Sequence, residues 1–189
     1  MQKSLKAIRG ILIYAFVIAL LSLAYFIYAY SVYPAVEERE TFLTEIGEGF
    51  GKIGLAALSF IYFRTILKLV LGHGKIAQRL LPDYAPPISS SSLNRLLGLM
   101  NRTHVYVGIA TIAILLLHIS MMGFSRYMHI LFFPALLALI IWQGLFGLFL
   151  TWRYTPDEMK RFSYLVHAQF VTGIAIGVFA FFGHLLIDD

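Results

Sequence analysis

Five stretches of this chain are long, apolar and nearly free of charge: Ile8–Tyr33, Ile53–Leu71, Thr103–Met122, His129–Thr151 and Phe162–Ile187. In hydrocarbon every backbone N–H and C=O must be satisfied internally, so an apolar run of about 18 or more residues crosses as a helix. The expectation is therefore an all-α membrane protein, a bundle of five transmembrane helices forming one domain over residues 1–189. Composition agrees. Of the residues 59% are hydrophobic and 13% charged, against about 25% charged in soluble domains, which leaves no room for a separate soluble unit. Lys3, Lys6 and Arg9 give the first stretch the look of a signal peptide. Its apolar run exceeds the roughly 7–15 residues of a signal h-region and no A-x-A-like site follows, so a retained helix is expected.

Loop charges orient the bundle. Lys3, Lys6, Arg9, Lys75, Arg79, Arg95, Arg102, Arg153, Lys160 and Arg161 fall on one side; Arg39, Lys52 and Arg126 fall on the other, beside Glu37, Glu38, Glu40, Glu45, Glu48, Asp188 and Asp189. The positive-inside rule puts the N-terminus in the cytoplasm and the C-terminus outside, in a membrane of the prokaryotic inner-membrane kind. The net charge of +5 is thereby explained by topology, and nucleic acid is not an expected partner; the lipid bilayer is. The longest connection, Gly72–Arg102, holds Pro82, Pro86, Pro87 and the run Ser89–Ser92, which favour extended or turn conformations. Within it Ser92 is positioned to cap a short interfacial helix over Leu93–Asn101.

The chemistry is concentrated in histidine. There are no cysteines, which excludes disulfides, protein-held iron–sulfur clusters and thiolate-ligated haem. Histidines inside spanning helices are costly and mark a functional site by default. His104 and His118 are fourteen residues apart, which is about 40° in direction and about 21 Å along a helix. They share one face near opposite ends of the third span, with Gly108, Thr111 and Leu115 in the strip between them. Gly108, one turn after His104, lets a large planar ring approach the backbone. The third and fifth spans run parallel, so His104 is level with His167 and His118 with His184. Such an arrangement suits two b-type haems with histidine on both axial sides.

The fifth helix poses a difficulty. Its histidines are seventeen residues apart, about 100° in direction on a straight helix. Either that helix tilts or bulges near Gly173 or Gly177, or one of its histidines is not a ligand. His129, at the start of the fourth span on the outer side, is the substitute for His184 or His118. Gly173 and Gly177, with G-x-x-x-G spacing, open a groove for a neighbouring helix or a porphyrin. Arg64 and Lys68 either snorkel to the cytoplasmic surface, or Arg64 and Arg102 neutralise the propionates of an inner haem. His73, in Gly72-His73-Gly74, reads as a solvated loop residue. Tyr25, Tyr28, Tyr30 and Tyr33 form an interfacial aromatic belt or line a quinone pocket.

Over roughly Gly51–His184 the chain resembles the ferric reductase-like transmembrane family. That family holds the membrane domains of ferric reductases and NADPH oxidases and the haem subunit of the methionine sulfoxide reductase system. The resemblance rests on Arg95-Leu96-Leu97-Gly98-Leu99, His104 with Gly108, Leu117-His118, and Tyr164-Leu165-Val166-His167. It implies that His104, His118, His167 and His184 ligate two haems and carry electrons across the membrane.

The expected function is thus transmembrane electron transfer by a di-haem b-type cytochrome, an electron-transfer subunit of a membrane oxidoreductase. No nucleotide fingerprint or phosphate-cradling glycine loop is present, so electrons come from a partner flavoprotein, another redox subunit or a quinol. Two other readings stand beside it: a quinone-reactive membrane anchor of a larger dehydrogenase, and a haem-free helical transporter or assembly subunit.

Overall fold

Helix is the only regular structure among the described residues of the computed structural model, which are 2–33, 41–73, 91–123, 127–167 and 170–187. Six helices follow in order: α1 (Gln2–Val32), α2 (Phe42–Val70), α3 (Ser91–Met122), α4 (Phe132–Thr151), α5 (Asp157–His167) and α6 (Phe170–Leu185). Four are long and apolar enough to cross a membrane: Arg9–Val32 of α1, α2, α3 and α4. Asp157–His167 and Val171–Leu185 pass the same test as a pair, bent by 48° where they join. Counted as one broken span they supply the fifth crossing. Large apolar side chains such as Leu12, Phe16, Tyr106 and Ile109 point outward; so much exposed apolar surface suits lipid and not water.

Several boundaries differ from those expected. α2 begins eleven residues before Ile53, at Phe42, because a cap overrides the polar residues there. Thr41 Oγ1 accepts the Thr44 N–H at 3.2 Å, and Thr44 Oγ1 accepts the Thr41 N–H at 2.9 Å, a reciprocal capping box. α2 stops at Gly72, whose φ of 68° is left-handed. The Gly72 N–H donates to Leu69 O and the His73 N–H to Lys68 O, the paired bonds of a Schellman stop. Leu93–Asn101 is helical, but as the opening turns of α3 and not as a separate interfacial helix; Ser92 lies inside it. The fourth span starts at Phe132, so His129 sits in the preceding turn. The stretch holding Pro82, Pro86, Pro87 and Ser89 lies outside the described residues, as do Lys75, Arg79, Glu37, Glu38, Arg39, Glu40, Arg126, Asp188 and Asp189.

Packing divides the bundle in two. α2 and α3 form an antiparallel hairpin, the most extensive helix contact in the molecule. Its register reads from Gly47 against Met121, through Gly51 against His118 and Gly54 against Leu115, to Arg64 against Asn101 and His73 against Asn94. Gly47, Gly51 and Gly54 share one face of α2 and bring the backbones close. In the other half, α4 packs on α5 and α6, and α6 on α1. Between the halves, among the described residues, the backbones of α3 and α4 approach most, while α2 and α3 reach α5 and α6 through side chains. Two apolar clusters close the ends: Leu67, Leu71, Leu97 and Met100 near the start of α3, and Tyr127, Ile130 and Phe132 near its finish.

Candidate functional site

α3 scarcely approaches the backbone of α5 or α6, yet their histidines meet across the space in two pairs. The His104 and His167 ring centroids are 6.0 Å apart with planes at 58°. The His118 and His184 centroids are 6.3 Å apart with planes at 16°. Two imidazoles bound end-on to one metal through bonds of about 2.0 Å have centroids roughly 6.3 Å apart. Both pairs have that spacing.

The 48° bend explains how the fifth span serves both. The change of direction lies between the pieces Asp157–His167 and Val171–Leu185, ahead of Gly173 and Gly177. α5 and α6 therefore have separate azimuths, and the 100° offset of a straight helix does not arise. Gly173 serves packing instead: a Cβ there would collide with the Tyr62 ring of α2, whereas Gly177 faces open space. Gly108 also has nothing within 4 Å of a would-be Cβ, so the strip between His104 and His118 is open at that point.

The outer atoms of the rings are tied down. His118 Nδ1 lies 2.9 Å from Gly47 O, His167 Nδ1 3.0 Å from Gln143 O, and His184 Nδ1 2.7 Å from Ala180 O. A carbonyl oxygen only accepts, so each Nδ1 carries the proton and each Nε2 keeps its lone pair. That is the arrangement metal-ligating histidines adopt, with the distal N–H fixed by a backbone carbonyl. His104 is the exception: its Nδ1 is buried and finds no partner among the described residues. Gly51 and Gly147 complete the seats. A Cβ at Gly51 would lie 2.9 Å from His118 Cε1, and one at Gly147 3.0 Å from His167 Cε1. Among the described residues no cluster of three or more His, Asp or Glu could hold a bare ion.

The remaining expected residues separate clearly. Arg64, half-buried in α2, donates Nε–H to Asn101 Oδ1 at 2.8 Å. It lies within Coulombic range of both His104 and His167, and Lys68 within range of His104. Arg102 is exposed and lines an open groove with Asn94, Arg95, Gly98 and Leu99. His129 joins neither pair: its ring meets the edge of Tyr33 at 4.9 Å. His73 is an exposed residue just past α2, as expected, and its Nε2 lies 2.9 Å from Asn94 Oδ1. The Tyr25 hydroxyl accepts the Leu131 N–H at 2.9 Å, while Tyr28 and Tyr30 are exposed, as belt residues are. Sequence reading missed Gly47, Gly51, Gln143 and Gly147. The glycine spacing on α2 was the available signal; nothing marked the Gln143 carbonyl.

Compared with known protein families, curated proteins and solved structures, the chain matches none.

Proposed function

We propose that this chain is a di-haem b-type cytochrome of the membrane, passing single electrons between the two membrane faces as the electron-transfer subunit of an oxidoreductase. The observation that carries the reading is the pair of histidine couples, at 6.0 and 6.3 Å, across a space the helix backbones leave open. His104 with His167, and His118 with His184, would be the axial ligands. A bis-histidine haem supplies a one-electron couple with no open coordination position, which suits electron transfer and not oxygen binding.

The protein's own part is orientation. The carbonyls of Gly47, Gln143 and Ala180 hold three rings in one tautomer, so Nε2 presents its lone pair without rearrangement. Gly51 and Gly147 set how far the rings sit from α2 and α4. Arg64 places a guanidinium beside the His104–His167 couple, suited to a haem propionate; Arg102, in its exposed groove, is the weaker candidate. Loop charge orients the His104 end to the cytoplasm, as in an inner membrane. There a flavoprotein, another redox subunit or a quinol would deliver electrons. The ferric reductase-like resemblance belongs to this same reading.

Purified protein tests it. Pyridine haemochrome analysis should give close to two haems b per chain with low-spin spectra; protein purified after haem supplementation that still has none would overturn the proposal and favour a haem-free helical protein.

A further inference from the structure

The two couples are built alike but sit in unlike electrostatic surroundings. At the His104–His167 end, Arg64 and Lys68 lie one turn apart on α2. Arg64 bonds the neutral amide of Asn101, and no carboxylate among the described residues pairs with either cation. At the His118–His184 end the nearby charge is Glu48, within Coulombic range of His118. Glu48 is itself exposed and pairs with Lys52 at 3.7 Å, so it adds little field there. Both haems would bring propionates, so the difference lies in the protein. Two cations that no described carboxylate pairs with favour an added electron at their end, and the Glu48–Lys52 pair gives the other end no such help.

Hydrogen bonding points the same way. An Nδ1–H donated to a carbonyl makes an imidazole more basic, which stabilises the oxidised metal. Both rings of the His118–His184 couple have such a bond, to Gly47 and Ala180. In the other couple only His167 has one, and His104 Nδ1 is orphaned. Resting on the di-haem reading, we infer that the His104–His167 site has the higher reduction potential of the two. A singly reduced protein therefore keeps its electron at the Arg64 end. Arg64 and Lys68 are positioning residues for that electron: they set where it rests and touch no reacting atom.

Potentiometric titration of the haem absorbance, with dithionite as reductant, tests the order. The wild type should show two components, and His184→Ala should delete the lower. Lys68→Gln and Arg64→Gln should each move the higher component downward, toward the other, and leave the lower where it was. Lys68→Gln guards against loss of haem on removing Arg64. The inference is overturned if His184→Ala deletes the higher component, or if Lys68→Gln leaves both midpoints unmoved. Failure of the parent reading looks different, because there would be no haem absorbance to titrate.

Discussion

At the scale of single residues, the histidine seats depend on the absence of a methyl group. Gly51→Ala or Gly147→Ala would put a Cβ about 3 Å from an imidazole carbon, forcing ring or helix to move, at a cost of about 1–3 kcal/mol. Gly51→Ala should perturb only the His118–His184 component, and Gly147→Ala only the His104–His167 component, read as lost or shifted haem absorbance; equal loss of both would count against distinct seats. The ring planes make a second prediction. Planes at 16° and 58° split the iron d orbitals differently. The ferric protein should give two low-spin paramagnetic resonance signals, the one with larger maximal g vanishing in His104→Ala. One shared signal would contradict the geometry. For the disputed ligand, His184→Ala should lower the haem ratio from about two to about one, while His129→Ala, whose ring rests on Tyr33, should leave it intact. That His104 and His118 share a face was legible in the sequence because fourteen residues is nearly a whole number of turns. The glycine seats were less so, since a glycine states that something comes close without stating what.

At the scale of elements, the fifth span was the hardest to read. A straight helix would set its two histidines about 100° apart, and the sequence left a bulge, a tilt or a false ligand open. The structure answers with a bend. Nothing in the local residues announces it, because neither proline nor glycine stands within two residues of His167. The start of α2 was missed for another reason. Glu45, Glu48 and Lys52 dilute the apolar signal, while the capping box uses threonine in place of the usual glutamate. The two halves of the bundle also meet through Tyr62 and Gly173. Gly173→Ala should lower the melting temperature, and adding Tyr62→Ala should recover part of the loss, because the smaller ring-free side chain makes room for the methyl. Additive damage in the double variant would mean the two residues are not in contact.

At the scale of the whole molecule, the alternation of charge predicts its orientation. Because the chain has no cysteine, single cysteines report side without interference. Arg161→Cys should react with a membrane-impermeant maleimide only after cells are opened, and Glu45→Cys in intact cells; the reverse pattern would invert the topology. The two-part packing bears on how such a molecule is made. The α2–α3 hairpin is complete before α4 to α6 are synthesised, and its meeting with them is slight apart from the histidine couples and a few close contacts. On the di-haem proposal, the newly inserted chain would be two loosely joined parcels until haem fastened the histidines together. In cells starved of iron those parcels would stay apart, exposing polar rings to lipid and inviting membrane proteases, so that abundance of the protein would follow haem supply without any change in its transcription.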